Sequence, residues 1–262
     1  MSVERVSVES LIPRIERAAS ELGGGALAFD GDGTLWDGDI GEDFFFELVR
    51  HGDVRPQARA QLAAEAQAHG LESGGAGVEL ASRLFEAYRG GLYPERATCE
   101  MIAWLCAGWS HGEVARFAEA VVVTHRLAER LHPETHRIAR HARSLGLRTL
   151  IVSASPLPVV DAAAKIAGFS ETVAAAPRFD GEHMLAAVDR PIPYDEGKVS
   201  RLRERIGTLP LLAAFGDNTF DVPMLGAAHL AVAVRPKPRL LARVADVPGL
   251  LLLSADDPRR IA

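Results

Sequence analysis

Apolar positions follow two different rhythms along this chain. Leu11, Ile12, Ile15, Ala19 and Leu22 recur at helical spacing. They predict an amphipathic helix over residues 4–22, with Ser10 and Pro13 in its first turn and Gly23-Gly24-Gly25 closing it. A continuous apolar run, Ala26-Leu27-Ala28-Phe29, then stops at Asp30-Gly31-Asp32-Gly33, which predicts a buried strand delivering side chains to its C-terminal end. From about 40 to 128 the pattern is almost wholly helical, with starts near Ile40, Arg55, Gly77, Pro94 and Ser110 and breaks such as Ser73-Gly74-Gly75.

From residue 133 the rhythm changes again. Pro133 opens a helix that Gly146 closes, and 148–152 predicts a strand ending in Ser153-Ala154-Ser155-Pro156. A helix follows over 157–167, then short strands at 172–176 and around the turn Asp180-Gly181. Lys198 opens another helix to about Ile206, and strands are predicted over 211–215, 230–234 and 250–253. Apolar strands alternating with helices predict an α/β fold with a Rossmann-like parallel sheet core covered on both faces. The helical stretch then reads as a cap domain inserted after the first strand. The expected division is 1–36 and 129–262 for the core and 37–128 for the helical cap.

Composition narrows the classes. Of 262 residues, 48% are apolar and 24% charged, which excludes wholesale disorder. The net charge of −6 argues against a broad nucleic-acid grip, so no nucleic-acid partner is expected. No stretch approaches the ~20 apolar residues of a membrane span, and no signal-peptide pattern opens the chain. Cys99 and Cys106 lie seven apart, which suits neither a CxxC pair nor a disulfide framework. The expectation is a cytoplasmic protein with no membrane partner.

Candidate chemistry sits where the strands end. In open parallel sheets, ligands bind beyond the carboxyl ends of the strands. Three apolar runs end there in Asp30 with Asp32, in Ser153 and in Asp217, and Lys198 starts a helix, where the dipole disfavours a cation unless an anion is near. Two crowded carboxylates persist when a cation lies between them or one is protonated. A cation, a neutral acid and a carboxylate nucleophile are what a phosphomonoester site needs. An EF-hand fails because Leu35 stands where the loop requires Gly.

Phe29-Asp30-Gly31-Asp32-Gly33-Thr34-Leu35 resembles the first motif of the haloacid dehalogenase superfamily in its phosphatase form. Val152-Ser153 resembles the second, Lys198 in Glu196-Gly197-Lys198-Val199 the third, and Gly216-Asp217-Asn218-Thr219-Phe220-Asp221 the fourth. The four occur in the family's order, and the long helical insert resembles the cap of its phosphoserine phosphatase branch. The resemblance implies a magnesium-dependent phosphomonoesterase acting on a small phosphorylated metabolite through an aspartyl-phosphate. Asp30 would be nucleophile and metal ligand. Asp32 would be general acid and base, with its backbone carbonyl on the metal, and Thr34 would orient it. Ser153 and Lys198, with Gly31 and Asn218, would hold the phosphoryl group. Asp217 would bind the metal, and Asp221 would support the metal water or Lys198. The alternatives are a phosphotransferase or mutase on the same core, and a non-enzymatic phospho-accepting receiver.

Two departures bear on the substrate. Phe220 precedes the last Asp of the fourth motif, where phosphoserine phosphatases carry Asn, and Asp39 stands where they carry a Glu for the substrate ammonium. Asp39 could meet an amine or cap a helix starting at Ile40. Arg83, Arg89 and Arg96 are candidates for a substrate carboxylate, and Phe44, Phe45, Phe46 and Trp36 for pocket walls. His132 and His136 stand at i, i+4, but Pro133 occupies the place that a zinc HExxH motif gives to Glu.

Overall fold

The computed structural model describes residues 3–255, so residues 1–2 and 256–262 of the expected core segments lie outside the described residues. Seven parallel strands form the main sheet in the order β1 (Glu4–Val6), β9 (Leu251–Leu253), β8 (Leu230–Val234), β7 (Leu211–Gly216), β2 (Ala26–Phe29), β3 (Arg148–Pro156) and β4 (Glu171–Ala175). A separate antiparallel hairpin is made by β5 (Pro177–Asp180) and β6 (His183–Val188). All four residues of β2 and all six of β7 are buried, as central parallel strands covered on both faces must be.

The chain's first element departs from the expected helix. Residues 4–6 form an edge strand paired in parallel with β9, and the helix runs Val8–Leu22. Ser7 is its N-cap, and Ser10, at the third helical position, closes a capping box with it, so Ser10 lies inside the first turn as expected. The strand carrying Asp30 is therefore second in chain order, yet it lies in mid-sheet between β7 and β3. Gly23, in the left-handed conformation, ends the helix as expected.

Between β2 and the helix Pro133–Ser144 the chain is helical: Ile40–His51, Pro56–Ala68, Gly77–Arg89, Glu95–Trp104, His111–Thr124 and Leu127–Arg130. Trp104 and Trp109 are buried there. The β5–β6 hairpin joins this layer. Gly108 N–H donates to Met184 O and Met184 N–H to Trp109 O, both at 2.8 Å, and His111 stacks on Phe179. Among the described residues no helix is long and apolar enough to cross a membrane.

Candidate active site

The residues singled out at the strand ends converge beyond the carboxyl edge of the sheet. Asp30 follows β2, Ser153 lies within β3, and Asp217 follows β7. Lys198 is the third residue of the helix Glu196–Ile206, and Asp221 closes a single 3₁₀ turn after Asp217. All five are buried, Lys198 and Asp221 completely.

Lys198 is the electrostatic centre. Its Nζ donates to Asp30 Oδ1, to Asp221 Oδ1 at 2.6 Å and to Val152 O at 3.2 Å. Burial alone would lower the lysine's pKa, but the charges of Asp221 and Asp30 outweigh it, and the ammonium is held above its ordinary range. Asp221 Oδ2 accepts from the amides of Asp217 (3.0 Å) and Asn218 (2.9 Å), so this carboxylate is fully engaged and folds the loop around itself. The sequence offered Asp221 two roles; its bond to Lys198 is one of them. Asn218 spends its side-chain oxygen on the amide of Thr219 at 2.8 Å, and it faces the cavity.

Asp30, Asp217 and Asp221 bring ligand oxygens within 4.8 Å of one another. Two of their buried oxygens, Asp30 Oδ2 and Asp217 Oδ1, have no hydrogen-bond partner among the described residues. Burial and the charge of Asp221 raise both carboxyls, Asp217 to about 6, against the opposing pull of nearby lysines. Unpartnered buried carboxylate oxygens are costly, and a hard cation that takes oxygen donors would satisfy them. The donor set thus fits Mg²⁺, with Asp30 and Asp217 as its side-chain ligands.

Of the pair Asp32 and Thr34, only the expectation for Thr34 needs correction. The Asp32 carboxylate stands apart from the acidic cluster. Its Oδ1 accepts from Trp36 Nε1 and from the Ile40 amide, both at 2.8 Å, and its Oδ2 accepts from Ser155 Oγ at 2.7 Å. Oδ1 is thus filled by two protein donors, while Oδ2 has one and keeps a lone pair toward the cavity. Thr34 does not orient it: the Thr34 hydroxyl has no partner among the described residues. The role of Thr34 is in its backbone, whose carbonyl accepts from His132 Nδ1 (3.1 Å) and Thr135 Oγ1 (3.2 Å), and His136 likewise reaches Leu35 O at 3.2 Å. The two histidines thus latch the Asp30 loop.

Gly33 shows why this loop is glycine-rich. Its φ of +81° is left-handed, and a Cβ there would collide with the Asp217 carboxylate. Gly31 packs closely on Trp36 and Ser153. Ser153 Oγ accepts from the Ser155 amide at 3.1 Å, which leaves its hydroxyl proton free to meet an anion.

A cavity of about 1080 Å³ opens above these groups. Its walls include Asp39, Glu42, Tyr88, Arg89, Tyr194 and Lys237. Asp39 caps the helix Ile40–His51 through the Glu42 amide at 2.8 Å and also faces this space. Close protein walls and the Asp32 charge push its carboxyl up to about 8. Of the three candidate arginines only Arg89 lines the cavity. Arg83 binds the carbonyls of Glu72 and Gly74, and Arg96 lies over the Tyr194 ring. Trp36 and Phe44–Phe46 do not line it: Trp36, Phe44 and Phe45 are core, and Phe46 is 46% exposed.

Sequence reasoning missed Lys237 and Ser155. Lys237 places Nζ 2.9 Å from Asp217 Oδ2, giving the cluster a second ammonium. Its signal was available in Arg235-Pro236-Lys237-Pro238-Arg239, which directly follows an apolar strand.

The haloacid dehalogenase-like hydrolase family matches residues 27–226, a span that contains every residue of this constellation except Lys237. A phosphoserine phosphatase of Halobacterium salinarum (strain ATCC 29341 / DSM 671 / R1) is 33% identical over 171 residues, 63% of this chain and 76% of that protein. Among solved structures, a protein with unknown function from Bordetella pertussis Tohama I matches with a TM-score of 0.68 at 21% identity, over 88% of this chain and 99% of that one. A substrate-bound phosphoserine phosphatase complex shares the fold at a TM-score of 0.54 and 15% identity, over 91% of this chain and 96% of that one. The chain belongs to the haloacid dehalogenase-like hydrolase family, and it is an enzyme of the phosphatase kind.

Proposed function

We propose that this protein is a magnesium-dependent phosphomonoesterase that hydrolyses a small phosphorylated metabolite through an aspartyl-phosphate on Asp30. One observation carries the reading: two carboxylates two residues apart occupy opposite environments. Asp30 is buried against Lys198 with one oxygen uncommitted, whereas Asp32 stands outside the acidic cluster at the edge of the cavity. Such a split separates a nucleophile from a proton carrier.

In the first step an Asp30 oxygen bonds to phosphorus as the ester P–O bond breaks, and Asp32 gives its proton to the departing alkoxide. In the second, water attacks phosphorus and loses a proton to Asp32, the bond between Asp30 and phosphorus breaks, and inorganic phosphate leaves. Ser153, Asn218 and the backbone at Gly31 hold the phosphoryl oxygens, and Lys198, whose three N–H groups go to Asp30, Asp221 and Val152, sets its positive charge beside them unless one of those bonds is exchanged for the phosphate. Asp221 keeps Lys198 charged and in place. Asp30, Asp217 and the Asp32 carbonyl would hold Mg²⁺, which when bound screens the negative charge of the phosphate group. The layer 37–128, with the β5–β6 hairpin packed on it, would act as the cap that selects substrate and limits water.

Phosphoserine is the leading candidate substrate. Support comes from the 33% identical phosphoserine phosphatase and from acidic Asp39 and basic Arg89 on the cavity wall, able to meet an ammonium and a carboxylate. The test is hydrolysis of a phosphate-ester panel, phosphoserine included, by purified protein. Phosphate release is expected with Mg²⁺, none after chelation, and a loss of at least about 10³-fold in Asp30→Asn. No hydrolysis across the panel would refute the proposal.

A further inference from the structure

We infer that Ser155 is a positioning residue for the acid–base step: its hydroxyl fixes Asp32 so that a single oxygen, Oδ2, exchanges a proton with the substrate. The inference rests on the phosphatase reading above. The geometry starts from Asp32 Oδ1, which accepts two N–H groups, the Trp36 indole and the Ile40 amide, both at 2.8 Å. Neither donor can accept a proton at ordinary pH, so both lone pairs of Oδ1 are committed. Proton exchange is left to Oδ2, whose protein partner is Ser155 Oγ at 2.7 Å. That hydroxyl takes one lone pair of Oδ2 and leaves the other for the cavity, which Asp32 and Ser155 both line.

The chain around Ser155 is built for this contact. Ser155 is 9% exposed, near the end of β3, and its amide is tied to Ser153 Oγ at 3.1 Å. The residue that would bind the phosphoryl group and the residue that aims the proton carrier are thus coupled through one hydrogen bond. Across from it, a Cβ on Gly41 would come within 2.9 Å of Ser155 Oγ, closer than carbon and oxygen tolerate. The glycine at the start of the helix Ile40–His51 therefore gives the hydroxyl its space. Asp32 is held from three sides: by its own loop through Trp36, by the helical layer through Ile40 and by β3 through Ser155. Without Ser155 the carboxylate keeps its Oδ1 anchors but can swing Oδ2 away from the leaving oxygen.

Leaving-group dependence tests this directly. A leaving 4-nitrophenolate needs little protonation, whereas an alkoxide needs a well-aimed acid. kcat/KM is measured for Ser155→Ala and parent protein on 4-nitrophenyl phosphate, phenyl phosphate and an alkyl phosphate. The change removes one oxygen and adds no bulk, and circular dichroism with a thermal melt checks that the variant is folded. Loss of one aimed hydrogen bond is expected to lower kcat/KM roughly tenfold or more for the alkyl ester and less than about threefold for the 4-nitrophenyl ester. The Mg²⁺ concentration at half-maximal thermal shift should stay within about twofold of parent, because Ser155 does not touch the acidic cluster. An equal loss on all three esters, or none, would overturn the assignment of Ser155 and leave the phosphatase reading intact. A parent protein inactive on every ester would defeat that reading instead.

Discussion

At Asp217 the environment and the chemistry pull in opposite directions. Burial and the neighbouring Asp221 raise its carboxyl to about 6, and they raise Asp30 as well. A carboxylate with a raised folded-state pKa binds more protons folded than unfolded. Without metal, stability from this group therefore falls as pH climbs from the ordinary carboxylate range near 3.8 through about 6. Above that window a divalent cation takes over what the proton did, since ligands must be deprotonated to bind it. The expected outcome is a Mg²⁺-induced rise in Tm that is small near pH 5 and larger at about pH 7.5, read by thermal melts with and without metal. A shift independent of pH would contradict the assignment of these carboxylates as ligands. The sequence made Asp30, Asp32, Ser153, Lys198 and Asp217 legible because each follows an apolar run or opens a helix, and Asp221 through the resemblance of the fourth motif. It hid which oxygens of Asp32 are free, because that depends on a loop that folds Trp36 and Ile40 back onto the carboxylate and on Ser155 meeting it from 123 residues away.

Elements deliver these side chains only if their ends are set correctly, and the helix Glu196–Ile206 shows how narrow the tolerance is. Gly197, its second residue, packs against the carbonyl of Ile192, with no room for a Cβ. Gly197→Ala should push the helix off that carbonyl and displace Lys198. A cost of about 1–3 kcal/mol in denaturant unfolding is expected, typical of overpacking, together with reduced phosphate-ester hydrolysis. Parent-like stability and turnover would show that Gly197 is not a packing requirement. The helix starts in the insert were readable because Ser110 and Asp39 are good caps and Pro56 suits a first helical position. β1 was not, because three residues at a sheet edge owe their conformation to pairing with β9, over 240 positions away in the chain, rather than to any local pattern. Membership of the β5–β6 hairpin in the helical layer was hidden for the same reason: its bonds run to 108–111.

Across the whole molecule, a buried ammonium–carboxylate centre lies at the mid-sheet strand ends, beneath a large cavity with acidic and basic walls. The parallel sheet brings together groups nearly 190 residues apart in sequence, from Asp30 to Asp217. The central claim is that Asp30 carries the phosphoryl group during turnover. The most direct measurement is to quench the Mg²⁺-loaded protein in acid during steady-state hydrolysis of a good substrate, reduce it with borohydride and sequence the peptides by mass spectrometry. Homoserine at position 30, absent from unreacted protein and from Asp30→Asn, is the expected result. Hydrolysis that proceeds while position 30 remains aspartate, with the phosphoryl group trapped on another residue, would contradict the account.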